Sequence, residues 1–136
     1  MLDLQEDYLA AEGHLVEKLG SIEGIRKVYC SCDLAEMKEE AQNTPALHVI
    51  YNGDTVTNNA QGGALSHPKQ TWVIVLAVNL RKKGEAGVLL AKVLKHMAGA
   101  HGPLGSFKRV NAGRPSFTRG FGYYPMAYEI TFRVKR

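Results

Sequence analysis

The chain has 136 residues, 45% of them hydrophobic, with 17 Lys and Arg against 13 Asp and Glu and a formal net charge of +4. This length suits one soluble domain and is short for two, so a single domain over residues 1–136 is expected. A folded chain of this size removes roughly two-thirds of its unfolded surface from water, which leaves no need for a metal or disulfide staple.

Cys30 and Cys32 stand one residue apart with no second pair to complete a zinc site, so two reduced thiols in a cytoplasmic setting are expected. Met1–Tyr8 carries Asp3, Glu6 and Asp7 and lacks the basic start of a signal peptide. The longest apolar run, Trp72–Val78, is far below the roughly 20 residues of a membrane helix. Charge is uneven: acids cluster in 3–17 and 33–40, while most Lys and Arg lie in 69–136. That asymmetry suits a basic surface meeting an acidic partner, nucleic acid or protein, with an ordinary solvated face as the plain alternative.

In chain order, Leu4, Tyr8, Ala11, Leu15 and Leu19 recur at helical spacing, with Asp3 as the expected N-cap and Gly20 as the stop. A turn at Ile22–Ile25 leads into a short strand, Arg26–Ser31. Asp33 then stands as cap of a helix running through Leu34, Met37 and Ala41. Pro45 begins a strand, Ala46–Tyr51, that Asn52-Gly53 ends. Gly53–Gln70 has no hydrophobic period and reads as a mobile loop or open hairpin arm.

Thr71–Asn79 is the centre of the pattern. Trp72, Ile74, Leu76 and Val78 share one face and Val73, Val75 and Ala77 the other, so both faces are apolar. Such a strand is covered by helices on both sides, or by helices on one and a neighbouring subunit on the other. Gly84–Ala98 is the clearest helix, with Ala86, Leu89, Leu90, Val93, Leu94 and Met97 on one stripe. A short strand in Leu104–Val110, a Gly- and Arg-bearing connection over Asn111–Pro125 and a last strand, Tyr128–Val134, complete the chain. The expected fold is α+β, a two-layer sandwich in which two to three helices pack on a mainly antiparallel or mixed sheet of four to five strands.

Catalytic constellations are missing from the pattern. His14, His48, His67, His96 and His101 are scattered, with no spacing that aims two imidazoles at one metal. Ser66-His67 are sequence neighbours without a nucleophile elbow, and Gly120-Phe121-Gly122 lacks the third glycine of a dinucleotide loop. No catalytic residue, cofactor or metal is expected. A hydrolase or transferase would have to hide its site around His67.

Several local patterns resemble one family: Asp33-Leu34-Ala35-Glu36, then Asn43-Thr44-Pro45-Ala46-Leu47-His48-Val49-Ile50-Tyr51, Gln70-Thr71-Trp72, and Gly120-Phe121-Gly122-Tyr123-Tyr124-Pro125-Met126-Ala127-Tyr128-Glu129. Their order over most of the chain is similar to that of the Mu-type tail terminator, or tail completion, proteins of phages and prophages. The resemblance implies a non-enzymatic homo-oligomeric ring, a hexamer being one candidate size. It would form in the host cytoplasm, end the tail tube and meet tube and head-tail connector proteins. For such contacts the candidates are Val73 and Val75 on the second face of the central strand, the basic run Arg81, Lys82 and Lys83, and Arg114 and Arg119. The alternative is a small basic nucleic-acid-binding module, drawing on Arg109–Arg119.

Overall fold

The computed structural model describes residues 2–30, 33, 42–56, 67–81, 85–98 and 107–134. Its elements are β1 (Leu2–Asp3), α1 (Ala11–Gly20), β2 (Lys27–Tyr29), β3 (Ala46–Thr55), β4 (Lys69–Asn79), α2 (Ala86–Ala98), β5 (Lys108–Val110), β6 (Ser116–Thr118) and β7 (Phe121–Arg133). The strands form one mixed sheet in the order β1-β7-β4-β3-β2, with β5 and β6 also paired to β7. β4 lies antiparallel between β3 and β7, while β1–β7 and β2–β3 are parallel. The fold is the expected α+β class with a mixed sheet; three short strands on the outer edge of β7 widen it.

Trp72, Ile74 and Leu76 of β4 are fully buried, as are Leu15 and Leu19 of α1 and Val93 of α2. They form one hydrophobic cluster with Leu47, Val49, Met126, Tyr128, Ile130 and Phe132, so both helices cover the same face of the sheet. The α2 stripe behaves as its spacing predicts: Leu89, Val93 and Met97 are buried, and Ala86, Leu90 and Leu94 pack at the margin.

The first helix begins later than its stripe suggests. Leu2 and Asp3 instead pair with Phe132 and Arg133, and the Leu4 N–H donates to Arg133 O at 2.8 Å. Asp3 is therefore a strand residue and not a cap. Asp7 organises the turn before α1, its Oδ1 accepting the Leu9 N–H and its carbonyl the Ala10 N–H. Leu4 and Tyr8 still reach the core beside Ala11, Leu15 and Leu19, because a chain crossing the sheet end can bury residues spaced like a helix stripe. The helix ends at Ser21, whose Oγ donates to Lys18 O, rather than on a left-handed Gly20.

β3 does not stop at Asn52-Gly53. A register shift between Tyr51 and Asp54, at a Gly53 with φ +88°, bends the strand, and Asp54 and Thr55 resume pairing with Gln70 and Lys69. The hairpin-arm alternative thus describes the base of 53–70, while residues 57–66 lie outside the described residues.

The last strand is nearly twice its expected length. It takes in Pro125, the end of the expected connection, although proline interrupts a ladder. The structure removes the conflict. Gly120 O accepts from Leu80 N–H and the Phe132 N–H donates to Pro68 O, so even-numbered residues of β7 bond toward β4 and odd-numbered ones outward. Pro125 therefore points its missing N–H outward, into the stretch between Tyr123, paired with β6, and Ala127, paired with β5.

The helix expected after Asp33 falls largely outside the described residues. Asp33 itself is helical, and its Oδ2 accepts the Cys30 N–H at 3.0 Å and the Cys30 thiol at 3.2 Å. Asp33, itself helical, thus reaches back to Cys30 and does not stand ahead of the helix as its cap.

Candidate functional site

The face of the sheet opposite the helices carries three rows in register. Ala46, Ala77 and Tyr123 form the first, His48, Val75 and Pro125 the second, and Ile50, Val73 and Ala127 the third. Val73 and Val75 are half-buried and belong to neither buried cluster, whereas Ala46, Ala77 and Tyr29 form a small cluster of their own with Tyr123 against it. Strand alternation alone produces this division: the same run that drives Trp72, Ile74 and Leu76 under the helices turns Val73 and Val75 outward.

A polar network borders this face. His48 Nε2 meets Gln42 Oε1 at 3.0 Å, Gln42 Nε2 donates to Tyr123 Oη at 3.0 Å, and the Asn43 N–H donates to Tyr29 Oη at 2.9 Å. The His48 ring lies between Tyr29 and Tyr123, with centroids 5.4 and 6.3 Å away. Burial holds the His48 imidazole below its usual pKa. Because the Gln42 amide nitrogen is used on Tyr123, its oxygen is left to accept from His48, which assigns the His48 proton to Nε2.

The basic candidates divide. Arg81 and Arg119 are exposed at one end of the sheet, where the Leu80 N–H donates to Gly120 O at 2.8 Å and the Arg81 N–H to Asn79 Oδ1 at 3.0 Å. Arg114 is exposed between β5 and β6, on the outer edge of β7. Lys82 and Lys83 lie outside the described residues. Val73 and Val75 occupy the sheet face, so the structure brings Arg81 near the Arg119 turn and the valines together, but the candidates do not form one patch.

Two features escaped the sequence reading. Phe117 is 61% exposed and Leu80 44%, although both are large and apolar. They converge on Gly122, where a Cβ would lie 3.0 Å from Leu80 Cδ2 and 3.3 Å from Phe117 ring carbons. The available signal was the glycine inside Phe121-Gly122-Tyr123, which marks close approach of another group.

Among the described residues no group of three His, Cys, Asp or Glu could hold a metal, and no helix is long and apolar enough to cross a membrane. His67 Nδ1 is buried without a hydrogen-bond partner among the described residues. Ser66, its sequence neighbour, lies outside them.

The model of the phage tail terminator protein family matches residues 5–136, nearly the whole chain. The chain belongs to the phage tail terminator family. None of the curated proteins matches it. Membership in the phage tail terminator family gives the protein a role in phage tail assembly, as a structural component of the virion tail that interacts with other tail components.

Proposed function

We propose that the protein forms a ring on the head-proximal end of the tail tube, stops tube polymerisation there and presents a surface to the head-tail connector. The observation that carries this reading is the one-sided helix layer: Ile50, Val73 and Val75 stand half-buried on a sheet face without a described helix, in a chain of the tail terminator family. Apolar strand residues left on a sheet face suit a subunit or tube contact. Assembly takes place in the host bacterial cytoplasm, with the tube protein and the connector as partners. Negative-stain imaging of the purified protein, alone and with tube protein, tests it. A ring with a central hole is expected; monomers at every concentration in both preparations would defeat the reading.

The nucleic-acid alternative draws on exposed Arg109, Arg114 and Arg119 along the outer edge of β7. Salt-dependent binding to duplex DNA at physiological ionic strength would favour it instead.

A further inference from the structure

The large hydrophobic side chains exposed among the described residues are Leu9, Val56, Leu80, Val88 and Phe117. Their placement is polar along the sheet. Leu9 follows Tyr8, whose Oη donates to Asp54 Oδ2 at 2.6 Å, and Val56 follows two residues after Asp54, so Leu9 and Val56 share the end where β4 begins. Leu80 and Phe117 share the other end, packed over Gly122, and Val88 stands on the first turn of α2, soon after that end. The eleven residues of β4 separate the two ends by about 36 Å.

Charge follows the same division. Exposed Glu6, Asp7 and Asp54 surround Leu9 and Val56 in sequence and through the Tyr8 bond. Among the described residues, Lys69 toward that end faces Glu129 at 3.6 Å, Arg133 faces Asp3 at 3.8 Å and Lys108 stands opposite Glu129 in register, while exposed Lys95 stands on the last turn of α2. Exposed Arg81 and Arg119 flank Leu80 and Phe117, and exposed Arg26 and Lys27 lie toward the same end at the start of β2; exposed Glu23 and Glu85 precede β2 and α2. One end is thus apolar with an acidic border and the other apolar with a basic border.

We propose that the two ends bind each other between copies of this chain, Leu80 and Phe117 of one copy seating on the Leu9 and Val56 surface of the next, with Arg81 and Arg119 against Glu6, Asp7 and Asp54. The inference rests on the ring reading and specifies its joint. Two unlike patches at opposite ends make a heterologous contact, which closes into a ring or runs on as a filament, whereas a two-fold dimer joins one patch to itself. A pair of apolar anchors inside a charged rim is the usual anatomy of such a joint.

The test uses the full chain, sized by light scattering across a concentration series. One variant carries Arg81→Glu and Arg119→Glu, the other Glu6→Lys and Leu9→Lys; all four positions are exposed, and circular dichroism checks that each variant folds. Wild type is expected to assemble and each variant alone to run as a monomer. Mixing the variants is expected to restore complexes of two or more chains, since the unaltered acidic end of one variant meets the unaltered basic end of the other. If both variants assemble like wild type, or if each is monomeric and their mixture stays so, the end-to-end joint is wrong while the ring reading stands. A wild type that remains monomeric throughout, with tube protein included, takes both down.

Discussion

Tyr8 Oη donates to Asp54 Oδ2 at 2.6 Å across 46 positions of sequence. Gln70 extends the tie: its Nε2 donates to Tyr8 O at 2.7 Å and its Oε1 accepts from Trp72 Nε1 at 3.0 Å. The crossing segment before α1 is thereby fixed to the bases of β3 and β4. Tyr8→Phe is expected to lower unfolding stability by about 1 kcal/mol, the usual net worth of one such bond. Urea titration of both proteins measures the difference, and an unchanged midpoint would show the bond contributes nothing.

The same phenol sets an alkaline limit. Burial, then the hydrogen bond and charge of Asp54, push the Tyr8 pKa up from its ordinary 10.0. A raised folded-state pKa means its contribution is complete below pH 10 and is lost as pH rises through the folded value. Stability should therefore fall above about pH 10, and Tyr8→Phe should lessen that fall relative to its own value at neutral pH. Tyr51 and Tyr128, whose burial also raises their pKa values, keep part of the slope in the variant.

His48 sets the acid side. Its pKa is lowered from 6.5 by burial, so the folded state resists the proton that the unfolded chain accepts. Its contribution is complete above about pH 6.5 and is lost as pH falls through the lower folded value. Urea midpoints between pH 7.5 and 5 should decline in wild type and decline less in His48→Gln, whose side chain keeps an amide donor for Gln42. Equal slopes in the two would remove His48 as the cause.

Gln70 is fully buried and holds two partners. Gln70→Leu leaves the Trp72 N–H and the Tyr8 carbonyl without them, which should cost about 1–3 kcal/mol for each group that stays dry. Trp72 is the chain's single tryptophan, so its fluorescence follows the transition directly. A variant as stable as wild type would mean that water reaches these groups.

The sheet face of Val73 and Val75 gives the last expectation. Val73→Lys with Val75→Lys should leave the monomer's melting temperature within a few degrees, since both side chains are only half-buried, while reducing assembly on the tube. Replacing Arg81, Lys82 and Lys83 with Ala should likewise weaken assembly, and a triple variant that assembles normally would mark the run as a solvated turn.

Periodicity by itself determined the centre of this protein. Trp72 to Val78 had to be a strand with two apolar faces, Ala86 to Met97 a one-sided helix, and Ala46 to Tyr51 an extended segment, because alternation and helical spacing are local consequences of backbone geometry. The family, too, was legible in the ordered motifs from Asp33 to Glu129. Tertiary structure decided what no local pattern specifies. The stripe of Leu4 and Tyr8 became a crossing segment because β1 found β7, and Pro125 joined a strand because its missing N–H faces the stretch between β5 and β6. Likewise Leu80 and Phe117, 37 residues apart in sequence, meet only because antiparallel pairing of β4, β7 and β6 stacks both over Gly122.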